Sequence, residues 1–200
     1  MRILSFDAST TTIGYSILEY DGYSLPTLKF YSYFKPSKDG HPVERLSGVK
    51  DFVHKVYDEH KPDEIVIEDF LLGFNPTNGR GGTTIKTLTS LAVLNRTVCL
   101  AAFDKLGKLP ILQSVMKIRH AIKENEGRQV PKKEEIPVLL QKTFGNINFP
   151  LQTKGKHKGE LAVIAYDIAD SIACGLAYCK LDLKNKNVKR KTSKKSRTSK

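Results

Sequence analysis

Cysteine is scarce in this chain of 200 residues, and the three cysteines follow no metal-binding pattern. Cys99, Cys174 and Cys179 are odd in number and lie in apolar surroundings. They lack the CxxC or Cys/His spacing that a zinc site requires. We therefore expect buried free thiols in a reducing compartment.

A secretory leader is also missing from the start of the chain. Asp7 directly follows the stretch MRILSF, and no small-residue cleavage site comes after a charged and then apolar segment. We therefore expect an intracellular protein.

Acidic and aromatic residues are absent from residues 184–200, which contain nine Lys and Arg residues. These nine account for most of the formal charge of +12 and leave only +3 for the rest of the chain. A polar segment of this composition cannot bury a core, so we expect a disordered arm with salt-dependent affinity for nucleic acid. A solubility tail and a nuclear import signal are the alternatives.

Long apolar runs are absent except for residues 161–179, and Asp167 and Asp170 interrupt that one. The run is long enough to cross a membrane, but each aspartate near the centre of a span costs about 2.5–3.5 kcal/mol, and no second span is available to shelter the pair. We therefore do not expect a membrane span here. In a helix, residues three apart share a face, so the two carboxylates lie together and repel unless a cation binds. The pair therefore indicates a cation site in a buried helix.

The remaining pattern predicts an α/β protein. Strand composition recurs at 2–7, 13–20, 28–34, 63–70 and 108–115, and the first three of these segments form a meander. Helical patterns cover 42–60, 85–107, 132–145 and 161–179. We expect one domain with a mixed sheet and helical cover.

The segment 71–84 has the composition of a loop, because it contains four glycines and a proline. The helix predicted after it, at 85–107, carries apolar residues on more than one face. A helix that is buried on two sides often lies at a subunit interface.

Two further acids stand at the ends of predicted strands. Asp7 closes the first strand, and Glu68 closes the fourth beside Asp69. If these strands are parallel neighbours, both side chains meet Asp167 and Asp170 at one edge of the sheet. Such a set of oxygen donors without Cys or His suits Mg²⁺ or Mn²⁺. Two ions about 3.5–4 Å apart could then clamp a scissile phosphate.

Simpler roles exist for each acid alone. Asp7 could cap the turn that follows it, and Glu68 or Asp69 could simply end a strand at the surface.

Three motifs together resemble a known family. ILSFDASTTTIGYSI, IVIEDF and AYDIADSIACGLA are similar to the acidic motifs of RuvC-type Holliday junction resolvases, in the ribonuclease H-like superfamily. The resemblance runs from residue 2 to about 180 in the family's order. It implies a ribonuclease H-like fold, with a five-stranded mixed sheet whose first three strands are antiparallel and which helices flank. We expect this nuclease domain to span 1–181 and a disordered basic tail to span 182–200.

The resemblance implies a crossover junction endodeoxyribonuclease that acts as a homodimer on branched DNA. It would make paired symmetric nicks in four-way junctions, with two Mg²⁺ ions per active site and Mn²⁺ as a substitute. The catalytic and metal-binding carboxylates would be Asp7, Glu68, Asp167 and Asp170. Residues 85–105 match the helix that builds the family's dimer interface.

The resemblance implies neither a membrane partner nor a nucleotide cofactor. The protein would lie in the cytoplasm with DNA. Nuclear, organellar and virus-associated locations stay open.

Two features depart from the family. The family has an aromatic wedge close behind its glutamate, but Leu71 stands at the nearest equivalent position here. Phe70 and Phe74 flank it, and we favour Phe74 because it belongs to the glycine-rich loop. The catalytic lysines are not located by the motifs, and the candidates are Lys117, Lys132 and Lys158.

Basic residues cluster where a DNA backbone would run, and contacts there would position the strand without reading its sequence. His157 could assist proton transfer, although in a lysine-rich loop a bystander role is the simpler interpretation. The predicted DNA-binding residues are Phe74, Arg80, Lys117, Arg119, Lys132, Lys154, Lys156 and Lys158.

Three rival functions stay open from the sequence. Another ribonuclease H-like nuclease would act on other branched DNA, RNA–DNA hybrids or structured RNA, and the four acids cannot separate these substrates. A sugar-kinase or actin-like ATPase would use FDASTTTIGYS to bind phosphate, but that fold repeats the motif in a second domain. A DNA-binding protein with a dead site is disfavoured because all four acids are present.

Overall fold

The computed structural model describes residues 1–69, 85–123, 129–145 and 147–195. Within them, the strands are β1 (Arg2–Ala8), β2 (Ile13–Glu19), β3 (Thr27–Phe34), β4 (Glu64–Asp69) and β5 (Ile111–Ser114). The helices are α1 (Pro42–His60), α2 (Ile85–Leu106), α3 (Val115–Ile122), α4 (Ile136–Phe144) and α5 (Val163–Lys195), and a 3₁₀ turn, Lys133–Glu135, precedes α4. The predicted α/β class is confirmed.

The strands form one sheet in the order β3-β2-β1-β4-β5. β1, β2 and β3 are antiparallel neighbours, whereas β4 is parallel to β1 and β5 is parallel to β4. Parallel neighbours need a crossover connection, which includes α1 before β4 and α2 before β5. The predicted mixed sheet is confirmed, and the C-terminal ends of β1, β4 and β5 meet at one edge.

The two faces of the sheet are covered by different helices. Phe6 packs in an apolar cluster with α1 and α2, whereas Ile3 and Val66 pack in a second cluster with α5. Because side chains alternate along a strand, Asp7 lies on the same face as Ile3, and Glu68 on the same face as Val66. Both acids are therefore on the face that α5 covers.

Small residues allow α5 to lie close to the sheet. A Cβ atom at Gly14 would collide with the backbone of Asp167, and one at Gly175 would lie 2.7 Å from Ser5 Oγ. Ser5 and Ser16 are fully buried, and their hydroxyl oxygens are hydrogen-bonded at 2.7 Å. The close approach at Gly14 holds the backbone of Asp167 directly against β2.

Helix α1 has the boundaries that the apolar spacing of 42–60 predicts. It begins after His41, whose Nδ1 accepts a hydrogen bond from the Val43 N–H at 3.3 Å, and it buries Val49, Val53 and Val56. It ends at the left-handed residue Lys61, with φ at 45°. This helix closes the α1/α2 side of the core.

The structure contains a helix, α3, that is not among the predicted helices, and it follows a strand shorter than the one predicted at 108–115. The strand is shorter and ends at Ser114, whose Oγ accepts a hydrogen bond from the Lys117 N–H at 3.3 Å and caps a new helix. Ile118 and Ile122 then face the core at helical spacing. After Ser114 the spacing of the apolar residues changes from the two-residue period of a strand to the period of a helix. This change is the signal in the sequence that marks the start of α3.

Helix α5 is longer than the helix predicted at 161–179, because it continues to Lys195. The assignment of 182–200 to a separate disordered tail stays a prediction. Lys and Arg are good helix formers, and no Gly or Pro follows Gly175. Extending a helix that is already packed avoids the cost of nucleation. The hydroxyl of Tyr20 also donates a hydrogen bond to Asp182 Oδ2 at 2.8 Å. A nuclease domain that ends near residue 181 stays a prediction.

No helix in the described part of the chain has the length and apolar character needed to span a bilayer.

Candidate active site

Four acids predicted from the sequence lie at the edge where the parallel strands end. We call them the acidic cluster: Asp7, Glu68, Asp167 and Asp170. Phe6 pairs with Ile67 in the parallel register of β1 and β4, so Asp7 and Glu68 follow side by side. Asp167 and Asp170, on α5, are only 6% and 8% exposed. The structure brings residues from distant parts of the chain to one place.

The charges of these acids influence one another. Burial raises the pKa of Asp7 well above its usual range, and the other three acids of the cluster raise it further. Burial and the charge of Asp170 raise the pKa of Glu68 to about 8. Burial also raises the pKa values of Asp167 and Asp170. The cluster is therefore a site where negative charge is costly and a cation is favoured.

Lys133 is the basic residue that the structure places in the cluster. Its Nζ lies 3.1 Å from Asp170 Oδ2. Burial acts to lower the pKa of Lys133, but the charges of Asp170, Asp7 and Asp167 outweigh it and raise that pKa. The sequence analysis named the neighbouring Lys132 instead, because nothing in the residue pattern shows which of two adjacent lysines the 3₁₀ turn directs to the acids.

Arg119 is a second basic residue near the cluster. It lies on α3, and its charge lowers the pKa values of Glu68 and Asp170. Its Nε is buried and has no hydrogen-bond partner in the described part of the chain. The structure thus brings Arg119 to the acids, whereas Lys117 is exposed and its backbone N–H completes the cap of α3.

The other predicted site residues lie elsewhere. Lys132 lines a separate cavity with Lys123 and Leu139. Lys154, Lys156 and Lys158 are exposed in the loop that precedes α5. His157, in the same loop, has its Nδ1 3.0 Å from Glu160 Oε2. Phe74 and Arg80, like Phe70 and Leu71, fall outside the described residues.

The turn after β1 does not depend on Asp7 as its cap. Ser9 closes it, because the Ser9 N–H and Oγ both donate to the Thr12 carbonyl and the Thr12 N–H donates to Ser9 Oγ at 3.1 Å. Ser9 Oγ also lies 3.4 Å from Asp167 Oδ2. The simpler role considered for Asp7 is therefore filled by Ser9, which also links the turn to α5.

Helix α2 supports the end of β4 from the opposite side. Asn95 Nδ2 donates a hydrogen bond to the backbone carbonyl of Glu68 at 2.8 Å. The Arg96 guanidinium pairs with Asp69 Oδ1 at 3.0 Å. Asp69 is thus held in a partly exposed ion pair, and Glu68 is the acid of the two that faces α5.

The donor chemistry of the acidic cluster fits a hard divalent cation, because it offers several carboxylate oxygens and neither imidazole nor thiolate. Across the described ranges, no three such side chains are already spaced as ligands of one ion. Charged carboxylates repel one another, so a bound cation would draw them together. Lys133, paired with Asp170 at 3.1 Å, occupies part of this site.

Comparison with known proteins gives a consistent family. A family model described as crossover junction endodeoxyribonuclease RuvC matches residues 3–129. Relatives with that description are a Finegoldia magna protein, 27% identical over 53% of this chain and 64% of its own length, and a Fusobacterium nucleatum protein, 30% identical over 58% and 67%. The matches thus span about two thirds of the length of these relatives.

Two solved structures share the fold. Thermus thermophilus RuvC in complex with Holliday junction substrate superposes with a TM-score of 0.65 at 16% identity, over 90% of this chain and 94% of that one. The yeast mitochondrial Holliday junction resolvase Ydc2 gives a TM-score of 0.53 at 14% identity, over 92% and 80%. The predicted ribonuclease H-like fold is confirmed, and the acidic cluster lies at the C-terminal edge of its parallel strands.

Proposed function

The chain belongs to the RuvC family of crossover junction endodeoxyribonucleases, and we propose that it resolves four-way DNA junctions by paired symmetric nicks. The observation that carries this proposal is the acidic cluster, in which acids from β1, β4 and α5 lie together and Asp170 pairs with Lys133. A cluster of this kind attracts divalent cations and, through them, a phosphodiester.

The acidic cluster would hold two Mg²⁺ ions, for which Mn²⁺ substitutes. Such ions activate water as the nucleophile and stabilise the leaving oxygen of the phosphodiester when they are bound. The part of the protein is to hold the carboxylates in place. β1 and β4 fix Asp7 and Glu68 side by side, and Gly14 lets α5 bring Asp167 against the sheet.

Lys133 and Arg119 would meet the negative charge of the scissile phosphate. Lys133 is paired with Asp170. A cation that binds the Asp170 carboxylate would replace Lys133 as its partner and leave the ammonium group free to contact a phosphate oxygen. The guanidinium of Arg119 has a buried donor without a partner in the described residues, and a phosphate oxygen would supply one. Both groups would stabilise the negative charge that develops on the phosphate in the transition state. Electrostatic stabilisation of this kind is a major source of catalysis.

The DNA arms would extend beyond this pocket over exposed basic residues. Lys154, Lys156 and Lys158 lie in the loop that leads to α5, and Lys117 lies on α3. Contacts of this type position the backbone and contribute salt-dependent affinity. Phe74 and Arg80 are proposed as junction contacts on the family resemblance alone.

Paired nicks require two active sites, and α2 offers a surface for a second copy. Leu94, Val98 and Ala101 pack against the core, whereas Val93 and Leu100 on the other side are exposed. Leu100 is 58% exposed, and Phe103 extends the same apolar stripe. We infer a homodimer that buries this stripe, because two-fold symmetric cleavage of a junction follows from a two-fold symmetric protein.

The decisive experiment is cleavage of a synthetic four-way junction with Mg²⁺ at several salt concentrations. We expect nicks at symmetric positions on two opposing strands, with ends that a ligase can seal. A flap and an RNA–DNA hybrid are assayed beside the junction. Faster cleavage of either would assign the enzyme to the alternative substrate class.

Asp7→Asn and Asp170→Asn should lower cleavage by about 10²–10³-fold or more, the scale of a lost electrostatic group at a reacting centre. Junction binding should persist, because each substitution removes negative charge from a phosphate site. Cleavage at the wild-type rate by both variants would refute the assignment of the acidic cluster.

A further inference from the structure

Gln113 is a buried polar residue that the proposed chemistry leaves unexplained. It lies on β5 and is only 1% exposed. Its Oε1 is buried and finds no hydrogen-bond partner in the described part of the chain. A buried carbonyl oxygen without a partner is unfavourable, so its presence points to a group outside the chain that satisfies it.

The sheet places Gln113 next to the acidic cluster. β4 and β5 are parallel, and Glu68 pairs directly with Gln113 in their register. Ile111, two residues earlier on β5, packs in the apolar cluster with α5, so Gln113 lies on the same face as Glu68. The carboxamide thus extends the row of acids along the edge of the sheet, from Asp7 on β1 through Glu68 on β4 to β5.

We propose that Oε1 of Gln113 is a fifth oxygen donor of the divalent-cation site that the acidic cluster forms. This proposal rests on the proposed function, because it assigns a further ligand to the same site. A carboxamide oxygen is a hard donor of the kind that Mg²⁺, Mn²⁺ and Ca²⁺ accept. It satisfies the cation without adding negative charge to a cluster whose acids already repel one another.

Arg119 is the competing partner for this oxygen. Its Nε is a buried donor that also has no partner in the described residues, yet the two groups are not bonded to each other. If Gln113 only positioned Arg119, it would affect phosphate contacts and leave cation binding unchanged. The two roles are therefore separable by measuring cation affinity without DNA.

The test measures the binding of Mn²⁺ to the full chain in the absence of DNA. The electron paramagnetic resonance signal of free Mn²⁺ reports how much of the ion stays unbound. Gln113→Leu removes the oxygen at similar volume and should raise the Kd about 10-fold, the lower end of the range for lost support of a metal ligand. Gln113→Glu restores an oxygen at the same position and should bind Mn²⁺ at least as tightly as wild type. Gln141→Leu is the matched control. Gln141 lies on α4, outside the acidic cluster, and its Nε2 donates to the Ile147 carbonyl at 3.2 Å, so the Kd of this variant should be unchanged.

A Gln113→Leu variant that is folded by circular dichroism and binds Mn²⁺ within twofold of wild type would overturn the proposal. If that variant does not fold, Gln113→Asn decides, because its oxygen is one methylene short and should also raise the Kd. Wild-type affinity in the Asn variant would overturn the proposal equally.

Asp170→Asn distinguishes failure of the Gln113 proposal from failure of the proposed function. If it too binds Mn²⁺ normally, the acidic cluster itself is not the cation site and the proposed function fails.

Discussion

Asn95 on α2 donates a hydrogen bond to the main-chain carbonyl of Glu68, so the helix with the exposed apolar stripe also holds the end of β4. Asn95 is 1% exposed, and its Oδ1 accepts from Arg96 at 3.2 Å. This hydrogen bond connects the proposed dimer helix directly to the strand that carries Glu68.

Replacing Asn95 should disturb the acidic cluster without touching it. Asn95→Leu removes a buried hydrogen bond to the Glu68 carbonyl, which should cost about 1–3 kcal/mol of unfolding free energy. Displacement of Glu68 should slow single-turnover cleavage by up to about 10²-fold. Thr97→Ala is the control, because its hydroxyl donates to Val93 within the same helix at 2.9 Å. Equal cleavage rates for Asn95→Leu and wild type would show that the contact does not position Glu68.

Lys133 and Lys132 form a matched pair for testing which lysine serves the site. Lys133→Ala removes the ammonium that pairs with Asp170 at 3.1 Å, and cleavage should fall by about 10²–10³-fold. Lys132→Ala should change the rate by less than about twofold in the same single-turnover assay, since an exposed lysine outside the site contributes little. A larger loss in Lys132→Ala than in Lys133→Ala would reverse the assignment.

The acids were predictable from the sequence because strand ends and helical spacing are local patterns. Asp7 ends a strand, Glu68 ends another, and the parallel register of β1 and β4 then brings them together. Lys133, Asn95 and Gln113 were not predictable in the same way. Their contribution depends on which neighbour a strand pairs with and on the phase of a single turn, and neither is a property of nearby residues.

Glu68 should make the cation-free protein less stable as pH rises. Its pKa is about 8 in the folded chain against an ordinary 4.5. Between these values the unfolded chain has released a proton that the folded chain keeps, so unfolding free energy decreases from about pH 4.5 to 8 and then levels off. The raised pKa of Asp7 acts in the same direction.

Thermal unfolding in EDTA between pH 5 and 8 measures this effect. Glu68→Gln should show a shallower fall in Tm than wild type and should exceed it at pH 8 by about 2–4 °C, the shift for roughly 1 kcal/mol in a chain of this size. Glu64→Gln, at the start of the same strand, is the control outside the acidic cluster. Parallel Tm curves for wild type and Glu68→Gln would contradict the prediction.

The apolar stripe of α2 can be tested by placing a charge in it. If the proposed homodimer forms through this stripe, Leu100→Glu should convert it to a monomer, because an unpaired carboxylate in a desolvated interface is strongly unfavourable. Analytical ultracentrifugation reports the mass, and circular dichroism should remain that of wild type because Leu100 is 58% exposed. Junctions should then receive single nicks in place of paired ones. A dimer of unchanged affinity in Leu100→Glu would exclude this face.

The basic C-terminal segment should add affinity for DNA without choosing the cleavage site. Truncation after Asn185 keeps the Tyr20–Asp182 hydrogen bond and removes eight of the nine basic residues at 184–200. Because each neutralised phosphate contributes about 0.9 to the slope of log affinity against log salt, the truncated chain should show a shallower slope and weaker binding. A full-length variant with those eight residues changed to Gln should behave in the same way, since it keeps the helix-forming character and loses only the charge. Unchanged salt dependence in both variants would mean that the segment makes no phosphate contacts.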